Sequence, residues 1–270
     1  MKLKLIPKII LFLVIFIFLS YIYMHFIENH YISSQEYSFK SNNLEKEFDG
    51  FKIAFFSDIH YGRSTNIKEI KDVVKIINEM KADIVLFNGD LLDNYIIIND
   101  QDKTNIINEL SKINANYGKF YINGDNDYAN IEIYKNIMES SKFKLLKNEE
   151  VNIYKDSLNP IHIDGIDSVS NNEDKYDFIS KDGFHIVMCH EPVCFDKLPS
   201  NVDLVLSAHN LGGLIRLPFI GGLFYNNNVN QYKDSIYNKM FISNGIGTEK
   251  IDLRLFNTPK VYLIRLYYEN

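Results

Sequence analysis

The sequence predicts an α/β (α+β) domain, two packed sheets covered by helices, preceded by one transmembrane helix. Three observations predict it. An uncharged apolar run of nineteen residues lies near the N-terminus, long enough to cross a bilayer core. Residues 51–125 alternate short apolar runs with helical periodicity, and the rest of the chain is dominated by short strand-like runs. With 46% hydrophobic residues in a chain of 270 there is enough apolar material for one sizeable core.

The elements follow in order. Ile9 to Ile27, "IILFLVIFIFLSYIYMHFI", is the membrane segment. It is longer than the apolar part of a usual secretory signal, and only Ser33-Ser34 offers a cleavage-like site after it, so a retained anchor is expected over a cleaved signal. Lys2, Lys4 and Lys8 precede it and Glu28 follows, which places the N-terminus in the cytoplasm and the globular part outside. The expected division is an anchor at 1–30, a polar juxtamembrane segment at 31–50 and a domain at 51–270.

Within the domain "FKIAFFSD" (51–58) reads as a buried strand, and "IKEIKDVVKIINEMK" (67–81) puts Ile67, Ile70, Val73, Val74, Ile77 and Met80 on one helical face. Strand "DIVLFNGD" (83–90), a helix through "TNIINELSKI" and strand "KFYINGD" (119–125) complete β-α-β-α-β. Strands are then predicted in "EEVNIYK", "PIHIDGID", "FHIVMCHEP", "DLVLSAHN", "KMFISNGIG" and "KVYLIRLYY".

Charge narrows the partners. The first 27 residues hold three lysines and no acid, so a net charge of −6 leaves −9 on the remainder. That disfavours nucleic acid, whose phosphates need basic patches. Cys189 and Cys194 are too few for a disulfide framework. They are expected as small buried side chains, with a bridge across "CHEPVC" the alternative.

Each predicted strand of the first half ends in a carboxylate, Asp58, Asp90 or Asp125, at the edge where α/β proteins assemble their sites. A single strand-end Asp is commonly a cap or turn former. Here, however, Asp58 sits two residues from His60 in "SDIHYG", Asp90 follows a turn-permitting glycine in "GDLLD", and His190 and His209 close two further strands in "CHEP" and "SAHN". Carboxylate with imidazole suits a divalent transition metal, manganese, iron or zinc. His25, His30, His162 and His185 lack that setting and are expected to be structural.

From Phe51 onward, in order, these motifs resemble the calcineurin-like metallophosphoesterases, particularly the membrane-tethered or exported bacterial branch that includes lipid-pyrophosphate hydrolases. Asp58-x-His60 is similar to the family's D-x-H, Gly89-Asp90-x-x-Asp93 to its G-D-x-x-D, and "LSAHNLGGLIRLP" to its S-G-H-T-H-G-G-Q…L-P segment. The resemblance implies a metallophosphoesterase-like sandwich of two mixed β-sheets flanked by helices, and one or two metal ions. One ion would be held by Asp58, His60 and Asp90, the other by Asp90, Asp125, His190 and His209.

The chain departs from the family pattern in "GDND" and "SAHNLGG". Asp125 replaces an asparagine ligand, Asn126 replaces the general-acid histidine, Leu211 stands at a lost-ligand position, and Ala208 replaces a glycine. Leucine offers no donor atom, and a neutral amide cannot protonate a leaving group, a loss of roughly 10²–10⁴-fold in rate. Two expectations stand side by side. One is a membrane-anchored phosphoesterase with an altered site, acting on a phosphorylated small molecule or lipid; the other is an inactive relative that binds one cation. Arg63 and Arg254 are candidate phosphate contacts, Arg63 for substrate binding, although isolated arginines on polar loops are mostly solvated. "LPFIGGLFY" (217–225) is expected either to touch acyl chains or to be core.

Overall fold

The computed structural model describes residues 5–156, 158–225, 232 and 236–270; Lys2 and Lys4, invoked for orientation, lie outside them. Helix α1 (Ile6–Ile22) buries none of its side chains. It runs on through a wide turn at Tyr23–Ile27 and a tight one at Glu28–His30, giving 25 residues of helix, about 37 Å at 1.5 Å per residue.

Strands β1 (Ser33–Ser41) and β2 (Lys52–Phe56) precede helix α2 (Ile67–Met80). Then come β3 (Ile84–Phe87), α3 (Asp100–Leu110), β4 (Lys119–Tyr121), α4 (Ile131–Ser140) and β5 (Lys144–Leu145). The second half holds β6 (Glu149–Ile153), β7 (Ile161–Gly165), β8 (Phe184–Met188) and β9 (Leu204–Ser207). It continues with β10 (Ile215–Leu217), β11 (Gly221–Leu223), β12 (Ile236–Tyr237), β13 (Met240–Ile242) and β14 (Lys260–Tyr268).

Two six-stranded sheets form, in the orders β1-β14-β2-β3-β4-β5 and β12-β13-β9-β8-β7-β6, with β10 and β11 as a separate hairpin. Both sheets are mixed. β2, β3, β4 and β5 run parallel while β14 pairs antiparallel to β2, and β7, β8, β9 and β13 run parallel between antiparallel β6 and β12. The core lies between the sheets, where Phe55, Leu86, Ile163, Ile186, Leu206 and Tyr262 meet. A second apolar layer packs Ile70, Val73, Ile106 and Tyr134 of the helices on Ala54, Val85 and Phe87. Central strands buried on both faces explain the unbroken apolar runs of the sequence.

Helix α2 starts where the sequence places it. Asn66 Oδ1 accepts from Lys68 N, and Glu69 Oε2 accepts from Asn66 N, a reciprocal cap. The polar stretch at 31–50 contains strand β1: Ser33–Ser41 alternates half-buried and exposed positions and pairs with β14 of the first sheet, with Tyr37 and Phe39 packed on its core. Cys189 and Cys194 are buried as expected, and they are joined in a disulfide. The turn at Pro192–Lys197 brings their Cα atoms to 6.6 Å, within bridging range.

Candidate metal centre

The loops after β2, β3, β4, β8 and β9 meet at one rim, and their backbones are shaped to do so. Asp58, His60, Asp90, His209 and Leu211 all have left-handed φ angles, between 48° and 68°. That conformation is costly outside glycine and concentrates at functional sites. Close approach sets the glycines: a Cβ on Gly89 would strike the Gly124 backbone, and one on Gly124 would strike Asp90. Asp58 N donates to Gly89 O (3.0 Å), Ile59 N and His60 N to Asp90 O (2.7 and 3.1 Å), and Gly247 N to Asp58 O (2.7 Å).

Asp127 ties the loops together. Its carboxylate accepts from Asp90 N (2.8 Å), Leu91 N (3.0 Å) and Gly124 N (2.9 Å). Asn88 does similar work, donating to Leu206 O at 2.6 Å while its own carbonyl accepts from His190 Nδ1 at 2.6 Å. Sequence reasoning missed both; a buried Asn or Asp that binds backbone has the same signature as one that binds a ligand.

The six candidate ligands converge. His190 Nε2 lies 3.1 Å from Asp125 Oδ1, 3.3 Å from Asp90 Oδ2 and 3.9 Å from Asp58 Oδ1. His60 Nε2 is 3.7 Å from Asp90 Oδ2, and His209 Nδ1 is 3.0 Å from Asp125 Oδ1. Ligand atoms of Asp58, Asp90 and His190, and of Asp125, His190 and His209, lie within 4.8 Å of one another, so His190 joins both groups. Asp58, His60, Asp90 and His190 are buried, whereas the side chains of Asp125 and His209 keep 24% and 13% of their surface and mark the opening.

These residues fit a divalent cation. His190 Nδ1–H is committed to Asn88 O, so in the neutral ring Nε2 presents a lone pair to three carboxylates and has no hydrogen-bond partner. Both nitrogens of buried His60 are also without one. A lone pair facing carboxylates is repulsive unless a positive charge lies between them, a ring proton or a bound cation. Burial alone would lower the His190 pKa, but Asp90, Asp125 and Asp58 raise it well above the usual imidazole range. Burial pushes the Asp58 carboxyl up, whereas at Asp90 and Asp125 the same effect is outweighed by neighbouring histidines, which hold both below the usual carboxylate range.

The departures have definite places. Asn126 is buried, with Nδ2 donating to Asp90 Oδ2 (2.7 Å) and its backbone N to Asp90 Oδ1 (3.0 Å). Leu211 is buried beside Asp58; a Cβ on Gly245 would press on Leu211 Cδ2 and Asp58 Cβ alike. Ala208 is buried too, its N donating to His190 O at 2.8 Å. Arg63 is exposed and bonds Lys250 O at 3.0 Å.

Arg254 overturns the expectation of a solvated side chain. It is fully buried, donating to Asn244 O (2.9 Å), Gly247 O (2.7 Å) and Asn257 O (3.1 Å). It thereby braces the loop that caps Asp58, and burial pulls its pKa down to about 10. Glu150, His162 and His185 form a third group of metal-capable residues, but one already satisfied internally. His162 Nδ1 meets Glu150 at 2.9 Å, His185 Nδ1 meets Asp164 at 2.8 Å, and His185 Nε2 meets Asp182 O at 3.2 Å.

Residues 51–212 match the family described as calcineurin-like phosphoesterase. The uncharacterized metallophosphoesterase YkuE of Bacillus subtilis (strain 168) is 30% identical over 246 residues, covering 87% of this chain and 85% of that protein. A transmembrane protein with metallophosphoesterase domain from Danio rerio is 22% identical over 241 residues, covering 81% of this chain and 53% of its own length. The solved calcineurin-like phosphoesterase YfkN from Bacillus subtilis aligns over 73% of this chain and 82% of that one, at 12% identity and a TM-score of 0.42.

Proposed function

Because the chain belongs to the calcineurin-like phosphoesterase family, we propose that it is a membrane-anchored, metal-dependent hydrolase of a lipid-linked phosphodiester or pyrophosphate, with an altered acid step. The observation that carries this is the convergence of three aspartates and three histidines on one rim, in two groups that share His190, with His60 against Asp90 and imidazole nitrogens left facing carboxylates. One or two divalent ions, manganese, iron or zinc, bound there supply Lewis acidity toward a phosphoryl oxygen and an activated water. Asp125 and His209, on the open side, meet the incoming phosphate first. Asn88 fixes the His190 ring so that Nε2 points inward. Asn126 binds Asp90 and has no acidic proton to give, so the leaving group departs unprotonated. Of the two substrate classes that favours the pyrophosphate, whose leaving phosphate needs no proton, and among esters it favours aryl over alkyl leaving groups.

Location rests on further features. Helix α1 is apolar and stands clear of the domain, with Lys8 on its N-terminal side, which supports a cytoplasmic N-terminus and an external domain. The disulfide supports an oxidising compartment for the domain. The acidic charge of the domain favours a phosphorylated small molecule or lipid over nucleic acid as partner.

A second reading, an inactive module holding one cation, is favoured by the Asn126 amide occupying Asp90 Oδ2 and by Leu211 at the ligand position. Metal content and turnover of the full chain in mild detergent decide between them. Bound manganese, one or two equivalents, with cleavage of an activated aryl diester that is abolished in Asp90→Asn, supports the hydrolase. One equivalent without cleavage supports the module, and none removes both.

A further inference from the structure

The end of the membrane helix is bonded into the rim of the metal centre. Arg254 N donates to Met24 O (3.4 Å), His25 Nδ1 meets Asp252 O (2.8 Å), Asn29 bonds the Asp252 carboxylate, and Asn257 N donates to Glu28 Oε1 (2.8 Å). The same 252–257 segment holds the β10–β11 hairpin: Arg216 N donates to Leu255 O (2.8 Å) and Leu255 N to Leu214 O (3.0 Å). Asn257 Nδ2 also donates to Leu211 O and Gly213 O (2.8 and 3.0 Å). A short chain of bonds thus runs from the anchor through 252–257 to the His209 loop and the hairpin.

Among the described residues the hairpin tip is apolar and exposed. Phe219 is fully exposed, Ile220 and Phe224 are 68% and 56% exposed, and Phe256, beside the hairpin's partner Leu255, is 64% exposed. Aromatic and aliphatic side chains gathered next to a helix that leaves a bilayer are suited to its interface, and standing in water they form an unfavourable apolar patch.

Resting on the membrane-anchored reading above, we propose that the β10–β11 hairpin dips Phe219 and Ile220 into the leaflet from which α1 emerges. The hairpin is a second membrane contact, set where the chain leaves the His209 loop. It holds the Asp125–His209 opening against the headgroup layer, so that a phosphorylated lipid is taken without leaving the bilayer.

The chain contains no tryptophan, so one introduced tryptophan reports alone. Full-length Phe219→Trp is reconstituted in phosphatidylcholine and phosphatidylglycerol vesicles, with and without brominated acyl chains, beside Phe16→Trp in α1 and Tyr154→Trp after β6. The expected result is blue-shifted emission, mostly lost on brominated lipid, for Phe219→Trp and Phe16→Trp, with Tyr154→Trp unchanged. Quenching of Phe16→Trp without quenching of Phe219→Trp overturns the hairpin contact and leaves the anchor standing; quenching of neither overturns both. Ile220→Trp repeats the measurement should Phe219→Trp fold poorly.

Discussion

On the proposed reading, replacing Asn126 by histidine should supply the acid step. The side chain is buried, and its amide donates to Asp90 Oδ2 at 2.7 Å. A histidine there gives up a hydrogen bond to a charged group, worth about 1.5–3 kcal/mol, but that loss falls on the stability of the metal-free fold. An imidazole that delivers a proton to a departing alkoxide contributes about 10²–10⁴-fold, or about 2.7–5.4 kcal/mol of barrier. Since only poor leaving groups need the proton, the gain should be large for an alkyl phosphodiester and small for an aryl one. Steady-state hydrolysis of both substrates by Asn126→His and the parent, with manganese in excess, reads this directly. An equal gain on both, or a parent already indifferent to the leaving group and unchanged by the substitution, would refute the assigned loss.

Three further outcomes follow from the geometry. Leu211→His places a nitrogen donor beside Asp58, so bound manganese should rise from about one to about two per chain, while the metal-free fold loses about 1–3 kcal/mol from burying a polar ring; unchanged stoichiometry by elemental analysis counts against that position. Arg254→Met strands the carbonyls of Asn244, Gly247 and Asn257 and should cost at least about 3 kcal/mol in urea unfolding, with metal affinity falling alongside; a near-neutral result would show the brace to be dispensable. Lys119, whose ammonium donates to Ser141 O at 2.7 Å, has its pKa lowered by burial from 10.5 to about 8. Between those values the unfolded chain binds more protons, so stability rises with pH by up to about 1.4 kcal/mol per unit from this group. Lys119→Met should remove that slope, and parallel pH profiles would contradict it.

Much of this was legible because a buried strand and the polar residue that ends it are both local signals. The apolar runs around Ala54, Leu86 and Val187 and the terminal Asp58, Asp90 and His190 could be read in order without knowing how they meet. What escaped depends on distant partners. Strand β1 was hidden because Glu36, Ser38 and Lys40 alternate with Tyr37 and Phe39 within an otherwise polar run, and only its pairing to β14 makes it a strand. Helix α4 was hidden because Tyr134, Ile137 and Met138 follow a run rich in Asn and Asp that reads as loop. Arg254 gave no sign that four nearby residues would turn carbonyls toward it, and the cysteine pairing depended on how tightly 189–194 turns.

Nine residues of β1 lie alongside nine of β14, from Ser33 opposite Lys260 to Ser41 opposite Tyr268, and β14 also separates β1 from β2. Strand β1 therefore waits for β14 to be synthesised, and the edge of β2 stays open until β14 arrives. Closure over so long a separation is slow, which leaves a half-built sheet in need of protection from its neighbours. Deleting β14 alone should therefore act as an assembly defect.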